Sequence, residues 1–214
     1  MAERNYGVID QFIMQFDRHL NALFSRQQGA LRPTPADNVE EVTLDESERR
    51  CSEGLMRVNH AGEVSAQALY QGQAITSRDP DVRATMQRSI AEEVDHLDWC
   101  ERRLCELSGH TSYLNPVWYL GSLTIGTLAG LAGDKWSLGF VAETERQVVE
   151  HLQGHLKRLP VQDMKSRAIV QQMAIDEARH GTIAQAAGGV ELPVFIKTIM
   201  RLSSKVMTST AYWV

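Results

Sequence analysis

Two pairs of residues in this 214-residue chain are spaced for metal chemistry: Glu93 with His96, and Glu177 with His180. In each, a carboxylate precedes an imidazole by three positions, which places them side by side on a helix. At about 100° per residue, Met86, Ile90, Leu97 and Leu104 trace an apolar stripe, and Glu93 falls within about 20° of its centre. Ile169, Val170, Met173 and Ala184 trace a second stripe, which carries Glu177 and His180. The neighbouring acids Glu92, Asp95 and Asp98 are expected on other, solvated faces. The strings Ile90-Ala91-Glu92-Glu93-Val94-Asp95-His96 and Ala174-Ile175-Asp176-Glu177-Ala178-Arg179-His180 resemble each other, which points to an internal repeat. Each has an inward carboxylate upstream. Glu63 shares a face with Met56, Asn59, Tyr70 and Ala74, and Glu145 lies on the stripe of Leu138, Val141, Val149, Leu152 and Leu156, whereas Glu143 and Glu150 point elsewhere.

A lone ionised carboxylate on such a stripe is costly, but four of them with two imidazoles are compensated around two divalent cations. Oxygen and imidazole donors suit iron or manganese better than thiolate-seeking metals, and donor type alone leaves the choice between those two open. The order Glu, Glu-x-x-His, Glu, Glu-x-x-His is that of ferritin-like four-helix di-iron proteins. The expected metal ligands are therefore Glu63, Glu93, His96, Glu145, Glu177 and His180. Asn59 and Asp176 lie near the inward faces and are candidates to hydrogen-bond those ligands, with a core amide and a surface acid as the alternatives. His60 and His151 fall off the ligand stripe and are expected at the surface.

The elements that must hold these residues are helical. Residues 6–26 repeat apolar residues at helical spacing, and Gln27–Val42, with Gly29, Pro33, Pro35, Asp37 and Asn38, has the character of a linker. Thr43-x-x-Glu46 has the form of a capping box opening a helix that runs to about Ser77. Asp79-Pro80 opens the next, which Gly109 ends. Thr111–Gly133 carries no charge; further helices are expected over about 135–158, 163–187 and 194–208. The fold expected is all-α: a ferritin-like four-helix bundle with a long apolar crossover between its second and third helices and extra amphipathic helices at both ends. Residues 1–42 form an N-terminal helix and linker, and residues 43–214 the di-iron domain.

Composition narrows the function. A net charge of −5 argues against nucleic-acid binding. Cys51, Cys100 and Cys105 form no CxxC pair, so neither a disulfide framework nor a thiolate metal site is expected. Asp10, Asp17 and Arg18 interrupt the N-terminal apolar run, so a cleaved signal peptide is not expected, and the segment lacks the character of a mitochondrial transit peptide.

With those motifs in hand, Asn59-His60-Ala61-Gly62-Glu63, Glu93-Val94-Asp95-His96, Glu145 and Asp176-Glu177-Ala178-Arg179-His180 resemble the demethoxyubiquinone hydroxylase family of ubiquinone biosynthesis, over roughly residues 45–214. The resemblance implies that Glu93 and Glu177 bridge two irons, that Glu63 and His96 complete one site, and that Glu145 and His180 complete the other. It further implies an O2-dependent monooxygenase that hydroxylates the ring of a polyprenylated quinone precursor, with the electron donor left open. Animal members carry a His-His-Tyr string where this chain has Glu150-His151-Leu152, so any role of that tyrosine does not transfer to Leu152.

A prenylated substrate calls for access to a bilayer. Asn115-Pro116, Gly121, Gly126 and Gly130 make the charge-free segment a poor spanning helix, so it is expected as an interfacial anchor or as a packed crossover. Lys197, Arg201 and Lys205 add a basic stripe suited to anionic lipid. The expected location is the cytoplasmic face of a bacterial membrane, peripherally bound; a homo-oligomer and a partner protein of the same pathway stay open. The rival functions are a ferroxidase or iron-storage protein and a non-enzymatic lipid-binding bundle.

Overall fold

The computed structural model describes residues 30–214, and the helix expected over 6–26 lies outside the described residues. The described chain is all-helical: α1 Glu46–Thr76, α2 Pro80–Glu106, α3 Asn115–Leu131, α4 Asp134–Arg158, α5 Met164–Ala186 and α6 Val194–Ala211. Local chemistry sets their starts. The capping box of α1 lies two residues beyond the expected one: Glu48 N donates to Asp45 at 2.8 Å, and Asp45 N donates to the Glu48 carboxylate at 3.0 Å. An Asp cap adds a negative charge at the positive end of the helix dipole, which Thr43 lacks. Asp79 caps α2 ahead of Pro80, Asp163 caps α5, and α4 follows Gly133, whose φ of 113° is left-handed backbone open to glycine.

Helix α1 packs along α2 and α3, and α4 packs along α5, with further contact between α2 and α5. Two apolar layers result. One gathers Leu55, Met56, Trp99, Leu104, Leu152, Ile169 and Met173; the other gathers Tyr70, Met86, Leu138, Val141 and Ala184. In α1, α2, α4 and α5 alike, the candidate ligands sit in the stretch of helix between these layers.

Helix α3 meets α1 backbone to backbone. A Cβ on Gly72 would fall 2.5 Å from the Leu123 carbonyl oxygen, and one on Gly126 would collide with the Leu69 carbonyl. Its outer face leaves Val117, Leu120, Ile125, Leu128 and Leu131 exposed. Helix α6 buries Ala211 and exposes Val194, Phe195, Ile199, Leu202 and Val206. Trp118 of α3 and Met207 of α6 pack against one small apolar cluster of Val58, Ala61 and Ala211. No helix among the described residues is long and apolar enough to cross a membrane.

Ahead of α1, residues 30–45 are non-helical yet pack on the bundle. Ala36 enters the core, and Glu41 accepts hydrogen bonds from buried Arg103 at 2.9 Å and pairs with Lys165 at 2.8 Å.

Candidate metal centre

The four central helices bring all six expected ligands into one buried cluster. Glu63, Glu93, His96 and Glu177 form one group and Glu93, Glu145, Glu177 and His180 another, each with donor atoms within 4.8 Å of one another. Glu93 and Glu177 belong to both.

The two imidazoles are oriented alike. His96 Nδ1 faces inward, 3.1 Å from Glu93 Oε2, 3.0 Å from Glu177 Oε1 and 3.6 Å from Glu63 Oε2. His180 Nδ1 lies 3.0 Å from Glu177 Oε2, 3.5 Å from Glu93 Oε1 and 3.9 Å from Glu145 Oε1. The outward nitrogens each meet an acid on the opposite helix: His96 Nε2 lies 3.1 Å from Asp176 Oδ2 on α5, and His180 Nε2 lies 2.7 Å from Glu92 Oε2 on α2. An acid at Nε2 selects the tautomer protonated there and leaves the Nδ1 lone pair for a cation. The cross-pairing obeys the repeat, since Glu92 and Asp176 each immediately precede a shared glutamate.

The electrostatics call for positive charge. Burial pushes the Glu93 and Glu145 carboxyls well above the usual range, and the neighbouring Glu177 and Glu63 charges push them further. Burial disfavours a charged Glu177 as well, but hydrogen bonds from His180 and His96 hold it below the usual range. Burial likewise opposes protonation of His96 and His180, yet the surrounding carboxylates raise both. Among the described residues, no donor is aligned to the buried Oε1 of Glu93, Glu145 or Glu177, although His96 Nδ1 lies close to that of Glu177. Oxygen donors that are buried, crowded and without aligned hydrogens fit divalent cations. The donor set suits iron.

Several neighbours differ from expectation. Asp95 and Asp98 are buried rather than solvated; Asp95 accepts from the backbone of Leu31 and the Arg32 side chain, and Asp98 pairs with Arg102. Glu92 is a third exposed but turns its carboxylate onto His180. His60 is buried rather than superficial, with its Nδ1 3.4 Å from the Asn115 amide, and burial lowers its pKa to about 4. His151 is half-buried. Asn59 faces His155 Nδ1 at 2.7 Å and donates to Met56 Sδ, so it supports His155 rather than a ligand. Glu143 is buried but bound to Arg146 and Gln147, turned from the cluster. The signal for His155 was its position three residues after Leu152 on the buried face of α4.

Comparison with known proteins places this geometry. The family model described as ubiquinone biosynthesis protein COQ7 matches residues 50–211. A protein of Nitrosococcus oceani named 3-demethoxyubiquinol 3-hydroxylase is 56% identical over 214 residues, 100% of both chains. Proteins with the same name from Nitrosospira multiformis and Polynucleobacter necessarius are each 57% identical, covering 96% and 95% of this chain and 99% and 98% of theirs. Among solved structures, a dodecameric thioferritin of Bacteroides fragilis aligns with a TM-score of 0.55 at 14% identity, covering 86% of this chain and 98% of its own, a likeness of fold.

Proposed function

The chain belongs to the COQ7 family of ubiquinone biosynthesis, and from that membership we propose that it holds two irons in the described cluster and uses O2 to hydroxylate a demethoxyubiquinol ring. It is a hydroxylase of that pathway, acting on a quinone-type substrate. The observation that carries the finer reading is the sharing of Glu93 and Glu177 between two buried donor groups of matching composition.

In this reading Glu93 and Glu177 would be shared by both irons, Glu63 with His96 would complete one site, and Glu145 with His180 would complete the other. Bound iron supplies the redox chemistry that activates O2. The protein's part is placement. Asp176 and Glu92 hold the Nε2 protons outward and so present both Nδ1 atoms inward. The apolar layers around Met56 and Trp99 on one side and Tyr70 and Met86 on the other keep water from the carboxylates. Low solvation strengthens every charge interaction within.

A polyprenylated substrate resides in a bilayer, and the exposed apolar residues of α3 and α6 support a peripheral seat there. Lys197 on α6 pairs with Glu191 at 3.0 Å, which leaves Arg201 and Lys205 as the cations better placed for anionic headgroups.

Turnover under ¹⁸O2 with reductant and a prenylated demethoxyquinol tests the proposal. One labelled oxygen in the product ring is expected, and unlabelled product overturns the monooxygenase reading. Iron uptake with oxidation of Fe(II) but no quinone turnover would favour the ferroxidase.

A further inference from the structure

The strand of chain ahead of α1 reaches the back of the centre. Leu31 and Arg32 are more than sixty residues from Asp95 in sequence, yet both backbone N–H groups donate to Asp95 Oδ1, at 2.7 and 3.3 Å. Arg32 Nε donates to Asp95 Oδ2 at 2.7 Å, and Nη1 donates to Asp176 Oδ2 at 2.8 Å, the oxygen that faces His96 Nε2. Nη2 lies 3.5 Å from His96 Nε2 itself. The guanidinium sits 4.8 Å over the Trp99 ring, whose indole N–H donates to the Arg32 carbonyl at 3.4 Å. One planar fork thus ties α2 to α5 behind a ligand histidine, a geometry for which lysine is no substitute.

Among the described residues, the other half of the centre is held by a more open fork: behind His180, both Nη groups of Arg179 donate to Glu92, at 2.7 and 3.4 Å, and both side chains are substantially exposed. Asp176, by contrast, also accepts from Gln172 and Arg179 on its second oxygen and is 5% exposed.

We propose that Arg32 is a positioning residue that locks Asp95 and Asp176 behind His96, making the His96 half of the centre slow to exchange its metal and leaving the Glu92-backed His180 half the faster. This rests on the metal-centre reading above. Arg32 lies ahead of residues 50–211, so the family match does not cover it.

The test uses the full chain loaded with Co(II), followed by its visible absorption during extraction with excess EDTA. Two kinetic phases of equal amplitude are expected. In Arg32→Gln the slow phase should accelerate, by at most the about 10- to 100-fold that loss of a ligand histidine's own outer partner costs in affinity, while the fast phase holds. Arg32→Lys, which reaches one carboxylate at a time, should fall between. Glu92→Gln should accelerate the fast phase alone. Melting of each metal-free variant within about 2 °C of the parent shows that packing is intact, and Arg32→Lys carries the test if Arg32→Gln does not fold. An unchanged slow phase, equal acceleration of both phases, or a single phase in the parent overturns the inference while leaving the metal centre standing. Failure of the parent to bind Co(II) at all overturns the metal-centre reading, and the inference with it.

Discussion

Replacing Glu145 by Gln should stabilise the metal-free protein while disabling its metal site. Glu145 is 1% exposed, its Oε1 has no aligned donor, and burial together with the Glu177 charge raises its pKa well above the ordinary 4.5. For an acid raised by folding, the unfolded chain loses its proton first. Stability is therefore unaffected well below pH 4.5 and falls as pH rises above it, by about 1.4 kcal/mol per pH unit, until the folded pKa is reached. At pH 7 the upper limit is about 3 kcal/mol, from 2.5 pH units at that slope. Gln has no proton to lose and keeps an N–H for Glu177, so the variant should exceed the parent by up to about 3 kcal/mol at pH 7 and by almost nothing near pH 4.5. Urea denaturation of chelator-treated protein at several pH values measures this gap. With iron added the order should reverse, because ligand binding stabilises only the protein that binds. A metal-free variant less stable than the parent at pH 7, or a gap that does not widen with pH, would show that Glu145 is not held against its charge.

Other outcomes follow from the same geometry. Glu177→Ala should abolish iron binding, whereas Glu143→Ala, whose carboxylate binds Arg146 and Gln147, should keep the full complement by metal analysis. His60 is neutral in the fold down to about pH 4, so between pH 6.5 and 4 the unfolded chain takes the proton first. His60→Asn should remove about 1.4 kcal/mol per pH unit of acid destabilisation over that window, about 3 kcal/mol in all, read from denaturation curves. Gly126→Ala should cost about 1–3 kcal/mol by prising α3 from α1, lowering Tm while metal content per folded chain stays constant.

The ligands were legible because a charge on an apolar stripe violates the periodicity of its own helix. Glu63, Glu93, Glu145 and Glu177 stand out by that test, and their helices order themselves from capping and breaking residues. Asp95, Glu92 and His60 were misplaced because helical angle locates a residue relative to its own stripe and says nothing of what covers the flanks. Asp95 is buried by Arg32, Glu92 is drawn to a histidine of α5, and His60 lies under Asn115 of α3. Each of these contacts joins residues more than fifty positions apart, where no local pattern reaches. The segment around Arg32 has the composition of a linker, and its purchase on the bundle comes from backbone N–H groups and one fork that composition does not reveal.

The glycine seam between α1 and α3 makes α3 a depth gauge. Side-chain interfaces adjust when a side chain changes, but here carbonyl meets glycine and no rotamer is available to absorb a shift. Gly72 follows Glu63 by nine residues on the same helix, roughly 13 Å of rise. The outer ridge of Leu120, Ile125 and Leu128 is therefore held at a set distance from the carboxylates, whatever surface it rests on. Substitutions along that ridge therefore change what α3 presents outward while leaving its distance from Glu63 unchanged.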